Sequence, residues 1–506
     1  MRGDSNGTST RAPKGTAHVV VIGGGLAGCA AATVLAERGI RVTVVERESF
    51  LGGRAGAWQD QLADGTPFHM ERGFHAFFRH YYNLRALIAR VDPALQCLTP
   101  LEDYPLIGPD GWTESFAKLP RRAPLNVMAL VWRTPSMKLS DLPAIAVKAV
   151  TEMVSFDPEG TYARQDRRTA ESYLDSLNFP DRARRMLFDV FAHSFFNPEN
   201  RYSAGELLAM FHYYFLGNPE GLVFDTAREP FSAVLWTPLQ RYLEARGVTF
   251  LTETSAVRIE QDGARFAIGI VDRLGRPETL SSDACVLAVT VPALQGLLEA
   301  SPSLGDDAFR SDVRALEVTL PFIVWRLWLD RPMRPDRAPF AGTCGIGLLD
   351  NISIYEKLEG ESAAWAQRTG GSIVELHAYG VDDTLDEAEI RRSLMTSFHE
   401  VYPEAKEAKV LEERYLARRD CPAFQPGSHA RRPGVETGIP GLFLAGDFVK
   451  LPFPSALMER AVTTGFEAAN AIARTLGRHE EPIRTIPRRG LLAPFVPAKW
   501  LSTPST

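Results

Sequence analysis

The run His18-Val-Val-Val-Ile22 passes directly into Gly23-Gly-Gly-Leu-Ala-Gly28, and this junction constrains the fold more than any other segment. The compact apolar run suits a strand buried on both faces of a parallel sheet. Cys29 to Arg38 is rich in Ala and Leu and reads as a helix closed by Gly39. Arg41-Val-Thr-Val-Val45 reads as a second strand ending at Glu46. Gly23, Gly25 and Gly28 therefore hold G-x-G-x-x-G spacing inside a complete strand–turn–helix–strand unit. The first glycine permits the tight turn, the second lets a pyrophosphate approach the backbone, and the third allows close helix–strand packing. Leu26 and Ala27 complete the turn, where helix amides face the phosphates. Glu46 stands where a carboxylate can accept both ribose hydroxyls, with Arg47 beside it. The unit implies a dinucleotide without choosing between a flavin and a nicotinamide.

Residues 52–54 make that choice. Gly52-Gly53-Arg54 stands just after the acidic residue. It resembles the second signature of the flavin amine oxidase and carotenoid desaturase superfamily. There the glycines pass close to the cofactor and the arginine contacts its phosphates. Near the other end, Gly441-Leu-Phe-Leu-Ala-Gly446-Asp447 reads as a strand entering a turn, with a helix from about Ser455 to Arg474. This resembles the C-terminal flavin motif of the same superfamily. The resemblance implies that Gly446 and Asp447 meet the ribityl–pyrophosphate region and that the Met458 amide faces the pyrimidine edge of the flavin. A helix N-terminus there favours an anionic reduced flavin. By the same resemblance, Val257 in the strand Ala256–Ile259 contacts adenine through its backbone, and Asp283 to Thr290 is the strand returning to the cofactor. No second G-x-G-x-x-G with strand–helix context argues for a separate NADPH domain.

Between these pieces, Glu71-Arg-Gly-Phe-His-Ala-Phe-Phe-Arg-His-Tyr-Tyr-Asn-Leu84 resembles plant and cyanobacterial carotene desaturases, in which the segment lies near the flavin. That places Gly73 and Phe74 among the cofactor contacts. Phe195 to Pro198, Tyr202 to Glu206, Phe211 to Gly217 and Glu220 to Asp225 resemble the actinobacterial aromatic-ring carotenoid synthases, which are desaturase/methyltransferases. The resemblance covers most of 18–475. It implies an α/β fold of the two-domain FAD-binding Rossmann type (GR2-like), with a discontinuous substrate domain as in amine oxidases and desaturases. The FAD-binding domain is expected at 17–75, 235–300 and 430–475. A substrate and membrane-docking domain is expected at 76–234 and 301–429, between a disordered tail at 1–16 and a C-terminal tail at 476–506. The implied cofactor is FAD and the implied substrate β-carotene, whose β-ionone rings become aromatic φ-rings by desaturation with methyl migration. A quinone is the candidate electron acceptor. The rival readings are a linear carotene desaturase or isomerase of plant type and a non-redox prenyl-lipid carrier on the same fold. Intact Gly23, Gly25, Gly28, Glu46, Arg54 and Asp447 speak against the carrier.

His75, Glu71 and His212 are the candidate catalytic residues. His75 matches the desaturase Gly-x-His-x-Phe-Phe position and serves either as a base or as a histidine orienting backbone. Glu71 is either a base or a partner of Arg72 or Arg54. His212 lies in Phe-His-Tyr-Tyr-Phe, whose rings either shield a cation or simply form core. His69, His193 and His377 show no partner pattern.

A net charge of -6 excludes the basic field of a nucleic-acid binder. Five scattered cysteines with no C-x-x-C indicate neither a disulfide framework nor a zinc site. No metal is implied, and a reducing cytoplasmic setting is the simpler reading. No segment approaches the ~20 apolar residues of a spanning helix. Leu125 to Val154 holds two short amphipathic stretches flanked by Arg121, Arg122, Arg133, Lys138 and Lys148. They either lie in a membrane interface, as the resemblance to desaturases implies, or form an ordinary domain helix pair, and the basic, apolar tail Pro487 to Phe495 either touches lipid as well or is disordered.

Overall fold

The computed structural model describes residues 17–101, 103–115, 147–185, 195–221, 223–490 and 493–496, together with residues 120, 125, 129, 141, 143 and 193. The tail expected at 1–16, and most of the first part of the amphipathic region expected at Leu125 to Val154, lie outside the described residues.

The chain opens with β1 (His18–Ile22), α1 (Leu26–Glu37) and β2 (Arg41–Val45). β1 is central to a five-stranded parallel sheet. β2 and then Thr249–Leu251 lie on one side, and Ala284–Leu287 and then Leu442–Leu444 on the other. Because side chains alternate along a strand, Val19 and Val21 join the core under α1 and the C-terminal helix Leu457–Thr475. Val20 and Ile22 join a second core with Ile259, Phe266 and the helix Val291–Glu299. Covering both faces explains the unbroken apolar run. A Cβ at Gly28 would overlap the Gly23 carbonyl oxygen, and one at Gly465 would strike the Ala27 carbonyl. These two glycines bring β1, α1 and the C-terminal helix into close contact.

A seven-stranded mixed sheet stands beside this unit. Its order is Val410–Arg418, Phe322–Leu329, Ser372–Ala378, Asn351–Ile354, Phe340–Thr343, Leu106–Ile107 and Thr113–Glu114. Ile323, Trp325 and Leu327 point to the helix Glu387–Val401, which starts with a reciprocal Asp386–Glu389 capping box. Val324 and Trp328 point the other way, toward Phe68 and Met70 of the strand Pro67–Glu71. The helix Ala204–Phe211 widens into a π-helical turn over His212–Leu216.

The stretch after Thr475 is strapped to the body. Glu481 pairs with Arg38 at 3.0 Å and Arg90 at 2.6 Å, and Ile486 is buried. Among the described residues no helix is long and apolar enough to cross a membrane, and the five cysteines form no disulfide.

Candidate active site

A cavity of about 750 Å³ runs from the β1–α1 turn to an aromatic wall on the larger sheet. At its first end, Gly23 has φ +105°, and a Cβ there would meet the Ala288 carbonyl oxygen. The turn thus needs glycine. Gly25 differs: its φ is −75°, and an added Cβ would find nothing nearer than the Gly53 Cα at 3.8 Å. The protein itself does not fill the space beside Gly25, and Gly25, Leu26 and Ala27 line the cavity there. A pyrophosphate fits that cradle.

Glu46 is buried against the same turn. Its Oε2 accepts the Gly24 amide at 2.6 Å and its Oε1 the Glu48 amide at 2.9 Å. Burial raises its pKa against the pull of these amides, and each oxygen keeps a lone pair for a ribose hydroxyl. Arg47 pairs with Glu48 at 3.1 Å on the cavity rim. Val257 lies at a bulge, where the pairing register skips from Ala256 to Arg258. Its backbone is therefore free of the ladder, and it is exposed on the cavity wall.

The two ends of the chain meet across the middle of the cavity. Arg54 Nη2 lies 2.5 Å from Asp447 Oδ1, although 393 positions separate the residues. Burial opposes the Arg54 charge, and Asp447 outweighs it. Gly52 and Gly53 line the wall, and a Cβ at Gly52 would run into the Trp236 indole. Gly446 is tied by its amide to Thr464 Oγ1 at 2.9 Å. Leu457 and Met458 bring the start of the C-terminal helix to the cavity; Ala456 offers no side-chain cap, and Leu457 has φ +46°. Uncapped amides and a strained residue at one helix start are features of a ligand site.

The supports of this helix start carry no motif in the sequence. Arg460 donates to the Ser455 and Asp447 carbonyls at 2.8 and 3.3 Å and pairs with Glu206 at 2.5 Å. Burial alone would raise the Glu206 pKa, but Arg432 and Arg460 hold it well below the usual carboxylate range. Glu459 accepts the Asn83 and Leu84 amides at 2.8 Å each, so it fastens the start of the helix Tyr82–Ile88. Burial pushes its carboxyl up to about 8.

At the second end, Phe74 stacks on Phe340 with ring centres 4.5 Å apart, and Tyr104 packs on Phe224 at 4.7 Å. Phe78 meets Tyr214 edge-on at 5.0 Å, and the Tyr214 and Tyr81 hydroxyls lie 2.5 Å apart. His75 lines the cavity edge-on to Phe231. Its Nδ1 lies 2.7 Å from the Gly73 carbonyl, which can only accept, so Nδ1 carries the proton and Nε2 keeps a lone pair. Burial lowers its pKa to about 4, so the ring is neutral near pH 7.

Two candidates are corrected by their placement. Glu71 lies behind the wall, accepting the Phe231 amide at 2.8 Å. Burial and then the Glu359 charge push its carboxyl well above the usual range. Its expected partners are engaged elsewhere, Arg72 with Asp420 and Arg54 with Asp447. His212 also misses the wall. It stacks on Phe156 at 5.0 Å, and its Nε2 donates to the Pro487 carbonyl at 2.8 Å, fastening the C-terminal stretch. Of the Phe211 to Phe215 block, Tyr214 and Phe215 reach the cavity.

His377, given no role from the sequence, lies on the wall together with Tyr379. Its Nε2 is 2.7 Å from Glu375 Oε1 and its Nδ1 is 2.7 Å from the Tyr379 hydroxyl. Glu375 Oε2 accepts Arg326 Nε at 2.8 Å, and the guanidinium lies over the Tyr355 ring at 4.0 Å. The available signal was an alternation of polar residues, Glu375-x-His377-x-Tyr379, in an apolar strand.

Residues 26–473 match the family described as flavin containing amine oxidoreductase, and the chain belongs to that family. It is an FAD-dependent oxidoreductase. It is 46% identical to the carotenoid phi-ring synthase of Streptomyces griseus, across 93% of this chain and 90% of that one. Identity to the carotenoid phi-ring synthase of Chlorobaculum tepidum is 30%, across 94% and 91%. Identity to the zeta-carotene desaturase of Synechocystis is 27%, across 91% and 98%. Among solved structures, cyclohexylamine oxidase from Brevibacterium oxydans shares the fold. Its TM-score is 0.65 at 17% identity, covering 92% of this chain and all of that one (100%).

Proposed function

We propose that this chain is a carotenoid φ-ring synthase, converting the β-ionone end rings of β-carotene to aromatic trimethylphenyl rings. The observation that carries this reading is the 46% identity to the Streptomyces griseus relative across 93% of the chain. The cavity supplies the physical setting, because one space joins the dinucleotide cradle to an aromatic wall.

In this reading 17–75, 235–300 and 430–475 form the FAD-binding domain, and 76–234 and 301–429 form the substrate domain. Gly23, Gly25, Leu26 and Ala27 cradle the pyrophosphate while Gly28 lets α1 pack close enough to shape that turn, Glu46 and Arg47 hold the ribose, and Val257 the adenine. Gly52, Gly53 and Arg54 line the phosphates, Gly446 and Asp447 the ribityl chain, Gly73 and Phe74 the ring system. The Met458 amide meets the pyrimidine edge. FAD supplies a two-electron hydride acceptor when bound. The chain's own part is to hold the ionone ring against that acceptor and keep water from a ring cation. Aromatic faces such as Tyr214 and Phe215 each stabilise the cation by roughly 0.5–2 kcal/mol. The neutral His75 accepts a ring proton at Nε2.

A polyene this apolar is delivered from lipid. Peripheral docking at the cytoplasmic membrane surface through Leu125 to Val154 and the C-terminal stretch suits that route. The exposed side chains of Leu125 and Phe495 support it. A quinone in the same lipid is the proposed final electron acceptor. The test is to supply FAD-loaded protein with β-carotene and, in parallel, with an acyclic carotene. Aromatic end groups from the first support the reading, whereas extra double bonds only in the second support a linear desaturase.

A further inference from the structure

Aromatising one ionone ring takes two two-electron oxidations. Each removes a hydride and a proton, so protons leave the ring twice. His75 offers one lone pair. We propose that Tyr379, coupled through His377 to Glu375, is a second proton acceptor of the cavity, a proposal that rests on the carotenoid-ring reading.

The hydrogen-bond directions define the relay. Glu375 is held ionised: burial alone would raise its pKa, but Arg326 and the bond from His377 bring it down to about 2. A carboxylate only accepts, so His377 carries its proton on Nε2 and leaves Nδ1 as the acceptor. The Tyr379 hydroxyl therefore donates to Nδ1. Asn351 Nδ2 donates to the same hydroxyl oxygen at 3.0 Å, which orients it and leaves one lone pair. Tyr379 and His377 both line the cavity. A Cβ at Gly73 would lie 2.7 Å from His377 Cε1, so glycine there lets the imidazole sit against the segment that bears His75. His377 thus packs against the segment that bears His75, and His75, His377 and Tyr379 line the same cavity.

Bound FAD would supply the hydride acceptor, and the ring would then carry a cation. A C–H proton of that cation passes to Tyr379 Oη as the hydroxyl's own proton passes to His377 Nδ1. The C–H electron pair becomes the new ring double bond. Tyr379 ends neutral, and His377 ends as an imidazolium held by Glu375, the arrangement that makes a paired histidine an effective base. The proton returns through Tyr379 to water when product leaves.

The test compares FAD-loaded wild type, Tyr379→Phe and His377→Gln with β-carotene, the ring carbons carrying hydrogen or deuterium. Bound-flavin absorbance and melting temperature monitor the fold. We expect first-turnover flavin bleaching to stay within about twofold of wild type. Aromatic product should fall by ~10²-fold or more, the range for loss of a general base. Singly oxidised carotenoid should accumulate, and the deuterium effect on aromatic product should rise because proton loss becomes limiting. A role in packing alone would not raise that isotope effect. Aromatic product within about threefold of wild type in both variants, with flavin retained, overturns the relay alone. Wild type that bleaches yet forms no aromatic product overturns the functional reading and the relay with it. If Tyr379→Phe loses flavin, His377→Gln decides.

Discussion

Replacing Gly25 with valine separates cofactor binding from folding. The native φ of −75° and ψ of −174° suit any L-residue, and the nearest atom to an added Cβ is 3.8 Å away. The apoprotein should fold, and losing a glycine should favour it by about 0.4–1 kcal/mol through the unfolded state. The side chain would, however, stand where a pyrophosphate reaches the amides at the start of α1. Two charge-assisted N–H···O bonds lost at about 1.5–3 kcal/mol each amount to about 3–6 kcal/mol. Affinity for FAD should therefore fall by ~10²–10⁴-fold. Gly28→Ala is the contrast, because its Cβ would overlap the Gly23 carbonyl oxygen and the chain should fail to fold. Titrating apoprotein with FAD and monitoring flavin fluorescence gives the affinity, and calorimetry gives the apoprotein melting. FAD binding by Gly25→Val at wild-type affinity would refute the reasoning. So would an apoprotein that melts well below wild-type apoprotein.

Three further outcomes are expected. His75→Ala should lower turnover by roughly 10²–10⁴-fold with FAD retained, read from product formation beside the flavin spectrum. Glu459 keeps a proton in the fold up to about pH 8 that the unfolded chain releases near the ordinary 4.5, so its contribution to stability is lost as pH rises through that window. Glu459→Gln should flatten this loss, which urea midpoints at a series of pH values would report. Leu125→Glu with Phe495→Glu should reduce pelleting with liposomes while FAD stays bound, both side chains being exposed.

The nucleotide end was legible because its requirements are local. Gly23 must be glycine for its own backbone angle, and Val19 to Ile22 of β1 must be apolar because both faces are covered. The C-terminal helix was legible for the same reason, within two residues of its observed start at Leu457. What the sequence hid depends on contacts between distant segments. Nothing near Arg54 announces Asp447. Glu71 and His212 lie in motif-bearing blocks, but only the folded chain shows that both turn away from the cavity. His377 erred in the other direction. Its partner Glu375 is two positions away, yet their shared strand face becomes meaningful only once that face is known to meet the cavity. Nothing local marks the stretch after Thr475 as strapped down, because its anchors, Arg38, Arg90 and His212, lie hundreds of positions earlier.

An isotopic label tests whether this chain couples ring oxidation to methyl migration. β-Carotene carrying carbon-13 in the gem-dimethyl groups would be given to the FAD-loaded protein and the product read by mass and carbon NMR. We expect each converted ring to lose four hydrogens and to carry label on two adjacent aromatic carbons. Loss of hydrogens with both labelled methyls still on one carbon, or no change in the ring at all, would show that the chain does not perform this conversion.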